Sequence, residues 1–126
     1  MPSYWVVGAM FGGEHDQLPL FLRDGYWVAW RVGEKPHVDA LRDSMVPDDR
    51  IAVKRLLGKG ATEIEIRALG IITGVAEQLD DDGRRRVFVR WVVPELQRRV
   101  AHNGCAGSIH GPYPGCDPWI KDVFQL

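Results

Sequence analysis

Short apolar runs alternate with turn-forming residues along the chain, and their spacing predicts a domain of mixed strands and helices. Residues 4–10 and 26–30 are apolar, rich in β-forming side chains, and predict two strands, the first of them buried. Between these runs, Asp16 is expected to cap a helix that extends to about Asp24. Gly25 supplies the residue that ends this helix.

The middle of the chain carries the clearest alternation. A short helix is predicted over residues 37–45, and a half-buried third strand over residues 51–56. Alternating apolar and charged residues predict a longer strand over residues 63–75. Residues 80–83 form a hairpin signal, so residues 84–93 are expected to return as the partner strand.

The last part of the chain gives a weaker pattern. Residues 94–118 are rich in Gly and Pro and are expected to be irregular, followed by a short helix or strand over residues 119–124. We therefore predict a single α+β domain over residues 1–126. Its expected architecture is a curled β-barrel of about five strands flanked by two or three short helices.

Composition fits this prediction. The chain has 126 residues, of which 45% are hydrophobic and 26% charged, which is ordinary for a globular domain with a core. No apolar run approaches the roughly 18 residues of a membrane span, and the first residues lack the pattern of a secretory signal. We expect a cytoplasmic protein with no membrane partner, whose Cys105 and Cys116 are thiols.

Charge is close to balanced overall but uneven along the chain. The formal net charge is −1, whereas residues 51–100 carry ten basic and seven acidic side chains. A basic middle region is able to form a local patch that faces phosphates. For the arginines at 84–86, neutralisation by the aspartates at 80–82 is an equally good interpretation.

Signatures of enzyme chemistry are missing from the sequence. It contains no phosphate-binding loop, dinucleotide fingerprint, nucleophile elbow or His-Glu-x-x-His helix. Cys105 with His102 or His110 leaves a small hydrolase as one alternative, although their glycine-rich loop offers no orienting third group. These residues and Cys116 also lack the close pairing of structural zinc ligands. We expect no enzyme, no metal and no cofactor.

Tryptophan is the more informative residue type. The chain has five tryptophans, and Trp27 and Trp30 are three residues apart in a predicted strand. On a strand they point to opposite faces, so one core face cannot hold both. Most strand tryptophans are core, but an aromatic wall is also able to stack a flat ligand such as a nucleobase.

The order of several residue blocks is that of a known superfamily. The blocks are Tyr4–Gly8, Phe11–Gly13, Asp16–Gln17 with Phe21, and Gly25–Trp27 with Trp30; then Met45–Lys54; then Ala68–Ile72 with Val87–Trp91; and, more weakly, Gly107–His110. On these blocks the chain resembles PUA-like domains of the EVE and YTH type. It is most similar in pattern to the version that precedes McrB-type AAA+ GTPase domains in modification-dependent restriction systems.

The resemblance implies a pocket that accepts a base flipped out of a nucleic acid. Flipping costs a few kcal/mol, which an aromatic cage and hydrogen bonds to the base edge must offset. Carried over by position, Trp27 and Trp30 are the expected cage. Phe11 and Asp16 are expected to close the pocket and to hydrogen-bond the base.

Basic residues complete the expected site. The resemblance places Lys54 at a position that contacts phosphate, and Arg55 and Lys59 follow it closely in sequence. One departure from the family lies nearby, because Asp48-Asp49 stands where the family has Gly-Asp. Glycine permits a positive φ there more readily than aspartate does, so we expect a slightly different turn.

The expected function is that of a reader that binds DNA or RNA through one base, modified in the preferred case. Such a reader is linked by the resemblance to restriction or antiviral defence, with an ATPase or nuclease as a partner chain. The near-neutral charge keeps one alternative open, a protein-interaction module on the same fold with no nucleic-acid binding.

Overall fold

The computed structural model describes residues 1–11, 14–29 and 43–126. The strands are β1 (Tyr4–Gly8), β2 (Met10–Phe11), β3 (His15–Asp16), β4 (Tyr26–Trp27), β5 (Arg50–Leu56), β6 (Glu63–Val75), β7 (Val87–Val93), β8 (Arg98–Ala101) and β9 (Ile109–Tyr113). The helices are α1 (Leu18–Asp24) and α2 (Pro118–Phe124). The described residues thus form the mixed α+β domain that the sequence predicts.

One sheet organises the domain. Its hydrogen-bonded order is β4-β7-β6-β5-β1-β9, and β8 pairs with β6 beside this path. β1 and β5 run parallel, whereas the other neighbours are antiparallel. The predicted count of about five strands is low, because this sheet has seven strands and β2 and β3 form a separate ladder.

The sheet is curled into a half-barrel rather than flat. β6 is 13 residues long, and on the edge away from β5 it pairs with β8 through its first part and with β7 through its second. Pairing shifts register at Val53/Lys54 and twice between β6 and β7. Such irregularities bend a strand and increase its twist, which explains the curl.

Both faces of the sheet are buried. Trp5 and Val7 face a core that includes Trp27 and α1, whereas Val6 faces a second core that includes Trp119 of α2. β5 is therefore not the half-buried strand that its alternation predicts. Its residues 51–54 are all buried, because β5 lies between β1 and β6 with a core on either side.

The prediction that residues 94–118 are irregular is wrong, since β8 and β9 lie there. β8 is only four residues long, and its Arg99 stands opposite Glu65 of β6, so its pairing depends on partners distant in sequence. β9 contains Gly111 and Pro112, which normally interrupt strands. An edge strand tolerates them, and β9 is at the edge beside β1.

Other sequence boundaries have mixed outcomes. Gly25 ends α1 in a left-handed conformation with φ 73°, as predicted, although the capping position is Gln17 rather than Asp16. The second strand is shorter than predicted and ends at Trp27. Trp30 and most of the predicted helix over residues 37–45 lie outside the described residues.

The Asp48-Asp49 turn keeps the conformation that glycine favours. Asp48 has φ 76°. The buried carboxylate of Asp49 accepts hydrogen bonds from the Ser3 and Val46 amides and from the Trp5 indole, at 3.0, 3.2 and 3.0 Å. Three donors satisfy this buried charge and join the start of the chain to β5. Within the described ranges, no helix is long and apolar enough to cross a membrane.

Candidate binding pocket

A pocket opens where β1 and β5 end. Because these neighbours are parallel, their carboxyl ends meet at the same edge of the sheet. The pocket has a volume of about 380 Å³. We call it the Lys54 pocket, and it is lined by residues 8–11, 54–56 and 106–108.

The wall at residues 106–108 is held by hydrogen bonds from two backbone amides. The amide of Gly8 donates to the carbonyl of Ser108 at 2.9 Å. The amide of Gly107 donates to Nε2 of His110 at 3.0 Å, which identifies this nitrogen as an acceptor. These contacts fix the segment before β9 against the end of β1.

Lys54 is the unusual residue of the pocket. Its side chain is only 4% exposed, and among the described residues its ammonium group has no hydrogen bond or ion pair. Burial lowers the pKa of Lys54, an effect partly opposed by the nearby Cys105 thiol. A buried cation that has no partner among the described residues is costly, and Lys54 carries this cost at the wall of a cavity.

Cys105 lies beside Lys54 and is fully buried. Burial raises the pKa of the Cys105 thiol to about 11, although Lys54 opposes this shift. A reactive cysteine requires the opposite direction, because the thiolate is the nucleophile. Nor do the described residues contain a group of three or more His, Cys, Asp or Glu side chains placed to hold a metal ion.

Three of the predicted site residues come together at the Lys54 pocket, namely Phe11, Lys54 and Arg55. Phe11 is half-buried, with its ring 6.2 Å from that of Phe21 in an edge-on arrangement. The guanidinium carbon of Arg84 lies 5.1 Å from the centre of the Phe11 ring. Phe11 therefore places an aromatic ring at the pocket wall, with the Arg84 guanidinium over it.

Trp27 lies behind the pocket and not in it. Its side chain is fully buried in the core, and its indole N–H donates to the carbonyl oxygen of Gly8 at 2.9 Å. In this structure Trp27 thus supports the pocket wall through Gly8. Its predicted partner in the cage, Trp30, is outside the described residues.

Asp16 serves the local structure beside the pocket. Its carboxylate accepts from the Leu18 amide at 3.1 Å and forms an ion pair with Arg67 at 2.7 Å. It is not one of the residues that line the pocket in the described part of the chain.

Arg55 and Lys59 are exposed beyond Lys54. Arg55 also lines a second cavity of about 410 Å³ between α1, β6 and residues 94–97. Lys59 lies in the turn after β5. Arg55 is therefore an exposed cation between two cavities, opposite Glu65 of β6, and the phosphate-facing patch stays a prediction.

The arginines at 84–86 are partly neutralised. Arg84 pairs with Asp82 at 3.3 Å and Arg86 with Asp80 at 3.9 Å, across the hairpin. Arg85 pairs instead with Asp43 at 3.5 Å. Neutralisation by the aspartates at 80–82 therefore accounts for two of these three arginines, and Asp43 pairs with the third.

Sequence reasoning assigned no role to Gly8 or Ser108, although both line the pocket. Gly8 ends an apolar run, and Ser108 belongs to the weak Gly107–His110 block. Their pairing joins β1 to a segment about 100 positions away, which no local pattern reveals.

The chain was also compared with known proteins. No protein-family model matches it, and neither a curated protein nor a solved structure is significantly similar to it.

Proposed function

We propose that this chain is a nucleic-acid-binding reader that accepts a single base in the Lys54 pocket. The observation that carries the proposal is Lys54 itself, a cation that is 4% exposed, lines a cavity and has no partner among the described residues. Proteins almost always pair buried charges, so an unpaired one at a cavity favours a bound ligand as the missing partner.

The other walls suit a flat, polar guest. A volume of about 380 Å³ is in the range of small-ligand pockets. Phe11 offers a ring on which a base is able to stack, and such stacking contributes about 1–3 kcal/mol. The aromatic role that the sequence assigned to Trp27 thus passes to Phe11, because Trp27 is enclosed in the core.

Exposed cations supply the contact with the backbone of the nucleic acid. Arg55 follows Lys54 on β5 and Lys59 lies in the turn after β5, and both are proposed to bind phosphates. About two such contacts correspond to a log–log salt slope near −2, which is modest and agrees with a net charge of −1.

The proposed role is recognition, linked to restriction or defence as the family resemblance implies. A methylated or hydroxymethylated base is the preferred guest in this proposal. Cleavage then belongs to a partner chain with ATPase or nuclease activity.

A binding titration tests the proposal. The panel is duplex DNA with methylated or hydroxymethylated cytosine or methylated adenine, its unmodified twin, and RNA of the same sequence, each at two salt concentrations. Phe11→Leu removes the ring but keeps apolar volume, and Arg55→Ala removes one phosphate contact. Arg90→Ala is the matched control, because Arg90 is an exposed cation on β7 and does not line the pocket.

We expect a preference for one modified base that Phe11→Leu weakens. Arg55→Ala is expected to weaken every member about equally and to reduce the salt slope by about one. Arg90→Ala is expected to change neither the affinity nor the salt slope. The proposal would be overturned if no nucleic acid of the panel bound at low salt. It would also be overturned if Arg90→Ala and Arg55→Ala reduced the affinity equally.

One observation favours a second candidate, a protein-interaction module. Leu79, Phe88 and Val92 are 53%, 41% and 52% exposed, and Phe88 and Val92 share the outer face of β7. A partner protein that covers this face would protect these side chains. This alternative would be supported by two results together: the wild type does not bind nucleic acid, and Phe88→Ser abolishes binding of a purified partner protein.

A further inference from the structure

The polar groups around the Lys54 ammonium divide unevenly into donors and acceptors. Lys54 offers three N–H donors and no acceptor, and the Arg55 guanidinium offers only donors. Among the described residues the Lys54 donors have no acceptor, and three nearby acceptor atoms already receive a hydrogen bond each. The Gly8 carbonyl accepts from Trp27, the Ser108 carbonyl accepts from Gly8, and His110 Nε2 accepts from Gly107.

A ligand for this pocket must therefore bring acceptors. Cys105, a polar side chain close to Lys54, is a buried thiol and only a weak acceptor, whereas the Ser108 hydroxyl at the pocket wall both donates and accepts. The lowered pKa of Lys54 has burial as its main cause, so an oxygen atom of a ligand would relieve the cost of that burial. A hydrogen bond from an ammonium group to an oxygen is also stronger than a neutral one.

The standard bases differ in the acceptors that they present. Guanine, cytosine, thymine and uracil each carry a carbonyl oxygen, whereas adenine carries an amino group and ring nitrogens but no carbonyl. Adenine offers only ring nitrogens as acceptors, and an orientation that turns its amino group toward Lys54 places donor against donor. Donor against donor is a repulsive element, and such elements are an effective source of specificity.

We propose that Lys54 determines the specificity of the pocket by donating to a carbonyl oxygen of the bound base, so that adenine and N6-methyladenine are disfavoured. This inference rests on the proposed function, because it names the class of base that the same pocket accepts. It assigns to Lys54 a contact with the base, where the sequence predicts a contact with phosphate.

Four duplexes test the inference, identical except for one unpaired nucleotide that is guanine, cytosine, thymine or adenine, and a fifth carries an abasic residue. Dissociation constants are measured for the wild type and for Lys54→Met, which keeps most of the length of the side chain without its charge. Lys59→Met is the matched control, because Lys59 is exposed and outside the pocket. Lys54→Gln is a second variant, and thermal unfolding checks that each variant is folded.

The wild type is expected to bind the three carbonyl-bearing bases about tenfold or more tightly than adenine, with adenine close to the abasic duplex. For Lys54→Met, the dissociation constants of all five duplexes are expected to equal that of the adenine duplex. Lys54→Gln is expected to reduce the difference in affinity between adenine and the other three bases. Lys59→Met is expected to weaken the binding of all five duplexes by one common factor.

Two results would overturn the inference alone: equal binding of adenine and the other bases by the wild type, or an unchanged preference in folded Lys54→Met and Lys54→Gln. Binding of none of the five duplexes would overturn the proposed function and this inference with it.

Discussion

The indole N–H of Trp27 donates to the carbonyl oxygen of Gly8 at 2.9 Å, and through this bond a core residue holds the wall of the Lys54 pocket. Trp27 is fully buried, so it stabilises the site from behind. The bond links β4, at one edge of the sheet, to the end of β1 near the other. Core packing and pocket geometry are coupled at this contact.

Replacing Trp27 by Phe separates these two roles. Trp27→Phe removes the hydrogen bond to Gly8 and keeps most of the ring, so we expect a loss of about 1 kcal/mol of stability and weaker nucleic-acid binding. Trp27→Ala is expected to cost about 3–5 kcal/mol, because it opens a large cavity in the core. Urea denaturation and a binding titration measure both effects. Unchanged stability in Trp27→Phe would show that the bond to Gly8 contributes nothing.

The limits of sequence reasoning are visible in the same residue. The sequence places Trp27 in the wall of a pocket, whereas the structure places it in the core, because a wall residue and a core residue give the same local pattern. The neighbours that decide between them, such as Gly8, are 19 positions away. Lys54 shows the converse, because its alternation with Val53 predicts an exposed side chain. Lys54 is buried because β5 lies between β1 and β6 with a core on either side, which strand periodicity does not reveal.

The sequence predicts features correctly where they depend only on residues close together in the chain. Gly25 ends α1 because a left-handed residue is needed there, and the alternation of Ile64 and Ile66 gives the buried face of β6. β9 was missed because its Gly111 and Pro112 are tolerated only at a sheet edge. Whether a strand is at an edge is a property of the whole fold.

Lys54→Met is expected to make the protein more stable while it weakens binding. The variant removes a buried charge that has no partner among the described residues, and the release of that desolvation cost is about 1–3 kcal/mol. Urea denaturation of the variant and the wild type measures the difference. A destabilised Lys54→Met would indicate that the ammonium group is satisfied in the folded protein and would argue against a binding role.

Stability is expected to fall in mild acid because of His110. Burial, and then the charge of Lys54, lower the pKa of His110 from its usual 6.5 in the folded protein. The folded state therefore binds fewer protons than the unfolded chain just below pH 6.5. The stability that neutral His110 contributes is complete above this value and is lost as the pH falls through the folded pKa.

Thermal unfolding across this pH range checks the prediction. His110→Gln retains an acceptor for the Gly107 amide but does not titrate, so its profile is expected to be flatter than that of the wild type. Identical profiles for the two proteins would exclude His110 as the source of the acid sensitivity.

The two cysteines are expected to react with a thiol reagent at very different rates. Cys116 is exposed, whereas Cys105 is buried and its pKa is raised to about 11. At pH 8 one thiol of the native protein should react quickly, and the second thiol only slowly or after unfolding. Cys116→Ser is expected to abolish the fast phase. Rapid reaction of Cys105 in Cys116→Ser would contradict the burial described here and revive a hydrolase on this loop.

The most direct test of the central claim, that a base occupies the Lys54 pocket, is an amide NMR titration of the labelled protein with a duplex that carries one unpaired guanine. The account predicts that the largest shift changes fall on Gly8, Phe11, Arg55, Gly107 and Ser108, with Leu79 and Phe88 unaffected. Shift changes confined to the face of Leu79, Phe88 and Val92, or no changes at a saturating concentration of the duplex, would contradict it.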